Sequence, residues 1–452
     1  MRRFKSLAYR NPGEIVFGRC KQPLGYGLGL EVGNGRVIPE IKYWSSREAE
    51  ASMRLVDEFR NITIDVLERA LDLGVGALQL ETELSYRATL NPSLAREIVE
   101  TQKSILERYH NSYGLPLALR VTVADVRGVK SLSRREALNR MLETFEVVAA
   151  SGADVLSIES IGGKEVFDYS IVRGDIRGVT LALGVLAPRD VERLWSDIVR
   201  IAEKHGVVAG GDTACGFANT AMRLAGGLVH RMMPHVLAAV VRAMSVPRSL
   251  KPYEVGARGP GKDCAYENVV LKAITGYPMS MEGRASAVAH SSLLGNIAAA
   301  ACDLWSNEQV ENLKLFGGSG PQVFLEILHY DVELMNTSIK LGYDRVLRDL
   351  MVASDAYRDP QALVLSPTAA WEIGRAVVSE ECDYLKSIKA GLKVIELIEE
   401  EEKLVMDARE RRYLSKLKSE LELLPREKEI FIDEVVGEYE SKIRSFRYTY
   451  YS

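Results

Sequence analysis

Short apolar segments alternate with longer amphipathic ones along the first half of the chain. In the longer segments apolar residues recur at helical spacing, as in the stretch that begins at Ser133 and in Pro188–Lys204. The short segments have the length and apolar content of buried strands; they are Ala77–Leu80, Leu117–Val123, Val155–Ile158, Val179–Val185 and Val207–Gly211. Such alternation is typical of a parallel sheet covered by helices. We therefore predict an α/β fold and favour a TIM-type eight-stranded parallel barrel over an open doubly wound sheet.

Three regions differ in their pattern, and we expect them to form three parts of the fold. Residues 1–47 contain short apolar pieces separated by Gly and Pro, which predicts an N-terminal β-hairpin cap. Residues 48–330 are expected to form the barrel with inserted helices. Residues 331–452 carry dense charge at helical spacing, which predicts an additional helical layer exposed to solvent.

The later part of the barrel region is harder to divide, because long apolar helices obscure strand signals. Tyr253–Arg258 is one candidate for a later strand. Residues 285–355 have a helical pattern throughout, and Gly317–Gly320 is expected to be a tight turn between helices, since no phosphate-loop Lys-Ser or Lys-Thr follows it. Small residues between 285 and 301 would allow close helix contact. They predict self-association, most simply as a homodimer.

Composition narrows the class of protein. Of 452 residues 47% are hydrophobic and 27% charged, as in a globular protein in water, and no apolar run is long enough to span a bilayer. The net charge of −4 gives no reason to expect nucleic acid as a partner. Five widely spaced cysteines argue against a disulfide framework and for a reducing compartment. Because the start lacks an apolar signal segment, we expect a cytoplasmic location and no membrane partner.

Two Gly-rich stretches each carry a cysteine into a helical pattern. Cys215 lies in Gly210–Asn219 and Cys264 lies in Gly259–Asn268. Small residues let the backbone turn sharply, and the positive end of a following helix favours a thiolate. A single free cysteine is more often a buried packing residue. Two in similar surroundings indicate ligands of a shared metal ion.

A third ligand is expected at the end of another strand, because barrel active sites lie at the carboxyl ends of the strands. Glu159 directly follows a predicted strand and precedes Cys215 by 56 residues, which is about two βα units. A barrel-mouth ion pair with Arg or Lys explains Glu159 equally well from spacing alone. Cys20, Cys302 and Cys382 lack a Gly-rich turn and are interpreted as packing residues.

Several longer motifs resemble the zinc-containing subunit of methanol:corrinoid methyltransferases. They are Leu156–Glu165, Gly211–Ala221 and Gly259–Asn268, with further resemblance in Lys5–Tyr9 and Gly33–Trp44. The resemblance covers most of the chain. It implies a TIM-type barrel that binds one zinc ion per chain through Glu159, Cys215 and Cys264, which match that family's one Glu and two Cys in type and in local sequence.

The resemblance also implies a reaction. The methyl group of methanol would pass to the Co(I) corrinoid of a separate carrier protein. Three protein ligands leave a fourth position at zinc for the substrate, whose oxygen the metal would polarise. The chain has no Asp-x-His-x-x-Gly motif, so the corrinoid is expected to belong to the partner protein and not to this chain.

Three anionic ligands would make zinc a milder Lewis acid than a site of neutral histidines, so a proton donor is expected near the substrate oxygen. Asp263, Glu267 and His290 are the candidates, and a structural role is the simpler interpretation of each. Two alternative functions stay open. One is the same chemistry on another methyl donor, such as a methoxylated aromatic compound. The other is a non-catalytic barrel that acts in assembly and holds its cysteines as buried thiols.

Overall fold

The computed structural model describes residues 2–46, 49–50, 54–226, 232–264, 266–284, 294–309, 314–315 and 317–451. Strands and helices alternate through most of this length, and the predicted α/β class is confirmed. None of the described helices combines the length and the apolar character that crossing a bilayer requires.

The main sheet has seven parallel strands and curls into a half-barrel. Its strands are β3 (Ile38–Trp44), β4 (Leu78–Glu83), β5 (Leu117–Val123), β6 (Val155–Ile158), β7 (Val208–Asp212), β8 (Ser280–Glu282) and β9 (Leu304–Gln309). Their order across the sheet is β7-β6-β5-β4-β3-β9-β8. Strands β3 to β7 therefore neighbour one another in chain order, as successive βα units do. Their carboxyl ends lie along one edge.

Helices follow most strands and cover the outside of the sheet. In the barrel region they are α1 (Leu55–Asp72), α2 (Tyr86–Leu90), α3 (Pro92–Tyr113), α4 (Arg134–Ala150), α5 (Lys164–Ile171), α6 (Ile176–Thr180), α7 (Ala187–His205), α8 (Cys215–Ala225), α9 (His235–Met244), α10 (Val246–Val255), α11 (Asn268–Thr275) and α12 (Gly295–Ala299). The remaining ones are α13 (Gly320–Leu341), α14 (Asp344–Asp355), α15 (Pro360–Leu363), α16 (Pro367–Val378), α17 (Asp383–Glu400), α18 (Ala408–Glu422) and α19 (Lys428–Lys442). The predicted C-terminal helices are confirmed.

The strand predicted at Val179–Val185 is wrong. Residues 181–186 form a π-helical segment that joins α6 to α7 in one continuous helical stretch. Every residue of this segment is buried. An apolar run that is buried on all sides has no helical periodicity, so its pattern does not distinguish a buried helix from a buried strand.

The predicted N-terminal hairpin is present, and its strands are β1 (Arg19–Tyr26) and β2 (Leu30–Asn34), which pair antiparallel. The next strand, β3, pairs with β4 and β9 inside the main sheet. The cap boundary placed at residue 47 therefore encloses one strand of that sheet. The proposed division at residue 330 stays a prediction.

Two further predictions for the second half are wrong. Tyr253 belongs to α10, so the segment Tyr253–Arg258 is not a strand. Residues 285–355 are not helical throughout, because β9 and a short hairpin of β10 (Lys314–Leu315) with β11 (Gly318–Ser319) interrupt them. Residues 285–293 lie outside the described part of the chain.

A short segment after α10 bridges the two edges of the sheet. The backbone N–H groups of Arg258 and Gly259 donate to the carbonyl oxygens of Ala209 and Gly210 in β7, at 3.0 and 3.1 Å. On the other side Gly261 pairs with the residues that lead into β8: its N–H donates to Pro278 at 3.1 Å, and its carbonyl accepts from Ser280 at 3.3 Å. Residues 258–261 thus lie between β7 and β8.

Candidate metal centre

Three ligand-type side chains meet at the carboxyl edge of the sheet. Glu159 directly follows β6, Cys215 begins α8 three residues after β7, and Cys264 follows the bridging segment 258–261. One carboxylate oxygen of Glu159 and the two Sγ atoms all lie within 4.8 Å of one another. The Sγ of Cys264 is 3.0 Å from Oε1 of Glu159. The fold therefore brings together residues that are up to 105 positions apart.

The glycines before Cys215 permit this convergence through close packing. A Cβ on Gly210 would lie 2.8 Å from the Ser157 Oγ, and one on Gly211 would lie 2.9 Å from the Tyr253 hydroxyl. Backbone atoms are as close, since the same Cβ atoms would lie 2.9 Å from the Leu156 carbonyl oxygen and 3.1 Å from the Gly261 Cα, so a side chain would fit only if the backbone moved. The Gly-Gly pair thus lets β7 lie close to both β6 and the segment that carries Cys264.

The donor set fits zinc in chemistry and nearly in size. Thiolate and carboxylate are ordinary zinc ligands, and a tetrahedral ion would hold such atoms roughly 3.6–3.8 Å apart. Because the three atoms lie within 4.8 Å of one another, no pair would have to approach by more than about 1 Å, which small side-chain rotations allow. Three protein donors would leave one position open.

The two sulfur atoms have different surroundings. Asn219, one turn along α8, donates from Nδ2 to the Sγ of Cys215 at 3.0 Å. Cys264 is buried, and burial raises the pKa of its thiol well above the usual value, an effect that the neighbouring Cys215 and Glu159 increase. A metal ion must therefore displace a proton from Cys264 when it binds.

A lysine-centred network lies directly beneath the ligands. The Nζ of Lys262 is 3.3 Å from Glu159, 2.7 Å from Glu81, 3.2 Å from Glu83 and 2.7 Å from Asp263. Burial by itself raises the pKa of Glu159, but the ammonium groups of Lys262 and Lys42 outweigh burial and leave that pKa below its usual value. Glu159 is thus ionised and ready to bind a cation.

A cavity of about 640 Å³ opens beside these residues. Glu159 and Gly216 line it, and residues at or after the ends of β4 and β5 form much of the remaining wall, among them Leu84, Tyr86 and Val123. The cavity is lined by both apolar and charged groups. Through Glu159 this cavity touches the predicted metal site.

Comparisons with known proteins settle the family. The family model described as the methanol-cobalamin methyltransferase B subunit matches residues 1–452. The chain is 45% identical to the methanol–corrinoid protein co-methyltransferase of Methanosarcina barkeri, with 99% of this chain and 98% of that protein aligned. The chain belongs to the methanol-cobalamin methyltransferase B subunit family.

A solved structure agrees with the B subunit assignment. It is the crystal structure of the methanol:cobalamin methyltransferase complex MtaBC from Methanosarcina barkeri, at 44% sequence identity and a TM-score of 0.97. The match covers all of both chains. The family named by resemblance from the sequence motifs is thus confirmed.

Of the three candidate proton donors, the structure describes two. Asp263 is completely buried between Lys262 and Lys42 and also accepts a hydrogen bond from Ser306 Oγ at 3.0 Å. Burial would raise its pKa, but the two lysines lower it well below the usual range. Asp263 does not line the large cavity, so its surroundings fit a structural role.

Glu267 is also buried, and its Oε1 accepts from the Ala214 N–H at 2.8 Å and from the Ser249 hydroxyl at 2.7 Å. These bonds tie the loop before Cys215 to α10. Glu267 does not line the large cavity either. The third candidate, His290, lies outside the described residues.

Sequence reasoning missed Glu83. It ends β4, its side chain is about 10% exposed, and it lines the cavity together with Glu159. Burial raises its pKa to about 8, against the opposing effect of Lys42 and Lys262. The one sequence signal was its position at the end of a strand in a parallel barrel.

Proposed function

We propose that this chain transfers the methyl group of methanol to the Co(I) corrinoid of a separate carrier protein, and that it does so with one zinc ion held by Glu159, Cys215 and Cys264. The observation that carries the proposal is the approach of these three ligand atoms to within 4.8 Å, beside a cavity, in a chain of the B subunit family. When bound there, zinc would supply Lewis acidity toward the oxygen of methanol.

The chain's own residues would prepare this site in three ways. Asn219 orients the Cys215 sulfur, and Lys262 keeps the Glu159 carboxylate ionised. The apolar wall of the cavity, which includes Leu84 and Val123, would limit water around the reacting carbon. The open side of the cavity gives a corrinoid on another protein access to the methyl group.

The size of the cavity is compatible with a methyl donor larger than methanol. About 640 Å³ is far more than methanol fills, and an enclosed site for methanol alone would be smaller. The same space would admit the corrinoid or the ring of a methoxylated aromatic compound. Volume therefore does not distinguish these donors. The names of the relatives favour methanol.

The test is a single-turnover reaction with the purified chain, its reduced corrinoid carrier and methanol. We expect methyl-Co(III) to form, seen as a change in the corrinoid absorption spectrum. Removal of metal by chelation should abolish the reaction, and zinc should restore it. Undiminished transfer by the metal-free protein would contradict the zinc mechanism. Transfer from a methoxy compound but not from methanol would contradict the substrate.

Variants at the ligands sharpen this test. Cys215→Ala and Cys264→Ala should each lose most bound zinc by elemental analysis while circular dichroism is unchanged, because the site lies at the rim of a large core. Glu159→Gln should lower zinc affinity with little effect on unfolding. Cys382→Ala is the matched control, because this free, half-buried cysteine lies at the start of α17. This variant protein should retain its zinc. Retention of one zinc by both cysteine variants would exclude the proposed set of metal ligands.

We also propose that the sheet closes into the full eight-stranded barrel predicted above, with residues 258–261 as its eighth strand. Four backbone hydrogen bonds to Ala209, Gly210, Pro278 and Ser280 support this closure. A barrel closed in this way holds Cys264 at the carboxyl end of the eighth strand. All three ligands would then occupy equivalent positions in the barrel.

A further inference from the structure

The buried charges beneath the ligands do not balance. Two ammonium groups are surrounded by four carboxyl groups, and these residues are Lys42, Lys262, Glu81, Glu83, Glu159 and Asp263. Arg120 adds no net charge, because it is paired with Glu40 at 2.8 Å. A divalent ion with two thiolates would add none either. Full ionisation would bury two excess negative charges, so the cluster must retain a proton on a carboxyl.

Contacts decide which carboxyl can hold that proton. Asp263 is bound by both lysines and by Ser306, all of which favour its ionised form. Glu159 faces the predicted metal and Lys262. Two carboxyl groups on β4, Glu81 and Glu83, are left.

Glu81 and Glu83 differ in what they touch. Glu81 accepts from the Thr122 hydroxyl at 2.7 Å, lies 2.7 Å from Lys262, and does not line the cavity. Glu83 has longer contacts to Lys262 and Lys42, at 3.2 and 3.4 Å, and both involve Oε1. No described residue forms a hydrogen bond with the Oε2 of either carboxyl group, but the Glu83 side chain lines the cavity beside Glu159 and the Glu81 side chain does not. A proton on Glu83 therefore has access to a molecule in the cavity, whereas one on Glu81 does not.

From this arrangement we infer that Glu83 is a catalytic residue of the proposed reaction, the acid that protonates the departing oxygen of methanol. The inference rests on the proposed function. The electron pair of Co(I) forms the new cobalt–carbon bond, and the pair of the C–O bond goes to oxygen. The proton from Glu83 turns that oxygen into water. Glu83 is left as a carboxylate, which solvent reprotonates through the open cavity.

The same contacts predict how the rate depends on pH. Lys42 on β3, Lys262 after the bridging segment, Glu81 on β4 and Glu159 after β6 are the charged groups that face Glu83. Burial outweighs the two lysines and raises the pKa of Glu83 to about 8. An acid must be protonated to act, so the transfer rate should fall as pH rises through about 8.

The first experiment measures the proton itself and needs no turnover. The infrared spectrum of Glu83→Gln is subtracted from that of the wild type, once for the metal-free chain and once for the zinc-loaded chain. The difference should show the C=O band of a protonated carboxylic acid at neutral pH. The band should disappear as pH rises through about 8. Glu81→Gln is the matched control, because it removes a carboxyl from the same strand and the same lysine. The inference would be overturned if the band were absent at neutral pH in both metal states. It would also be overturned if Glu81→Gln removed the band and Glu83→Gln did not.

The second experiment measures transfer by the zinc-loaded holoenzyme with its corrinoid carrier. Glu83→Gln should retain zinc and lower the single-turnover rate by about 10²–10⁴-fold. Its remaining rate should no longer fall at alkaline pH. Glu81→Gln should lose less than a tenth as much, and Glu83→Asp should regain part of the rate. An equal loss in both Gln variants, or an unchanged rate in Glu83→Gln, would overturn the inference. Failure of the wild type to use methanol would instead overturn the proposed function, while the infrared result still reports on Glu83.

Discussion

Asn219 shows how one residue can control a metal ligand. Its Nδ2 donates to the Cys215 Sγ at 3.0 Å, and its Oδ1 accepts from Arg242 at 3.4 Å. The amide is therefore held at both ends, and it presents an N–H to the sulfur. A hydrogen bond of this kind stabilises a thiolate and fixes the direction of its lone pairs.

Asn219→Ala should therefore weaken zinc binding by about 10–100-fold without unfolding the chain, because it removes the donor to Cys215 and leaves the sulfur in place. Competition with a chromophoric chelator measures the affinity. Thr220→Ala is the matched control, since Thr220 lies next on α8 and its hydroxyl bonds to the Gly216 carbonyl at 2.8 Å. Equal affinities for wild type and Asn219→Ala would show that this bond has no part in metal binding.

At the scale of elements, Lys272 connects α11 to the amino ends of the strands. Its Nζ donates to the carbonyl oxygens of Val16 and Ala301, at 3.0 and 2.8 Å, and lies 2.9 Å from Asp303. The other oxygen of Asp303 accepts from the Met279 N–H at 2.9 Å. One buried ion pair thus links α11, the segment before β1, and the approaches to β8 and β9.

Lys272→Met should destabilise the fold by about 3–5 kcal/mol, because it leaves the Asp303 carboxylate buried without its counter-charge. The midpoint of urea unfolding should fall accordingly. The double variant Lys272→Met, Asp303→Leu should regain much of the loss, since it removes both charges. A single variant as stable as the wild type would show that the ion pair contributes little.

At the scale of the whole molecule, the structure changes the basis of the predicted self-association. Small residues between 285 and 301 were expected to form the contact. The described part of that segment, residues 294–301, is mostly buried, and α12 packs against α14 of the same chain. Large apolar side chains are exposed instead on α13 and α14, two helices that pack together; they are Ile327, Tyr330, Leu334, Val346 and Leu350. If the chain forms a dimer, this face is the better candidate for the contact with a second copy.

Sedimentation at micromolar concentration should then give a dimer for the wild type. Leu334→Glu combined with Leu350→Glu should shift it to a monomer, because the contact would have to bury two charges from each copy. Leu423→Glu is the matched control, since Leu423 is 83% exposed at the end of α18, a helix that packs against α6, α9 and α17. A wild-type monomer would contradict self-association. A dimer that survives the double variant would place the contact elsewhere.

Local signals in the sequence predicted much of the outer architecture. The strands Leu117–Val123 and Val155–Ile158 have the predicted bounds, because each is a short and mostly apolar run between turn signals. The helix that begins at Ser133 starts with a capping box formed by Ser133 and Glu136, which is a feature of neighbouring residues. The motifs around Cys215 and Cys264 were likewise local, and their resemblance to known sequences identified the family.

Only the tertiary structure could decide which charged residues lie buried within the curled sheet. Strand β3 was not predicted because Glu40 and Lys42 interrupt its apolar pattern. Both side chains are buried and form ion pairs with residues of other strands, Glu40 with Arg120 and Lys42 with Glu83. The raised pKa of Glu83 depends on the same interior. Charges of this kind are stable only when partners distant in sequence are brought within a few ångströms. A pattern of neighbouring residues carries no information about those distances. The sequence by itself therefore determined the ligand types and the family, and the fold determined where the ligand side chains come together.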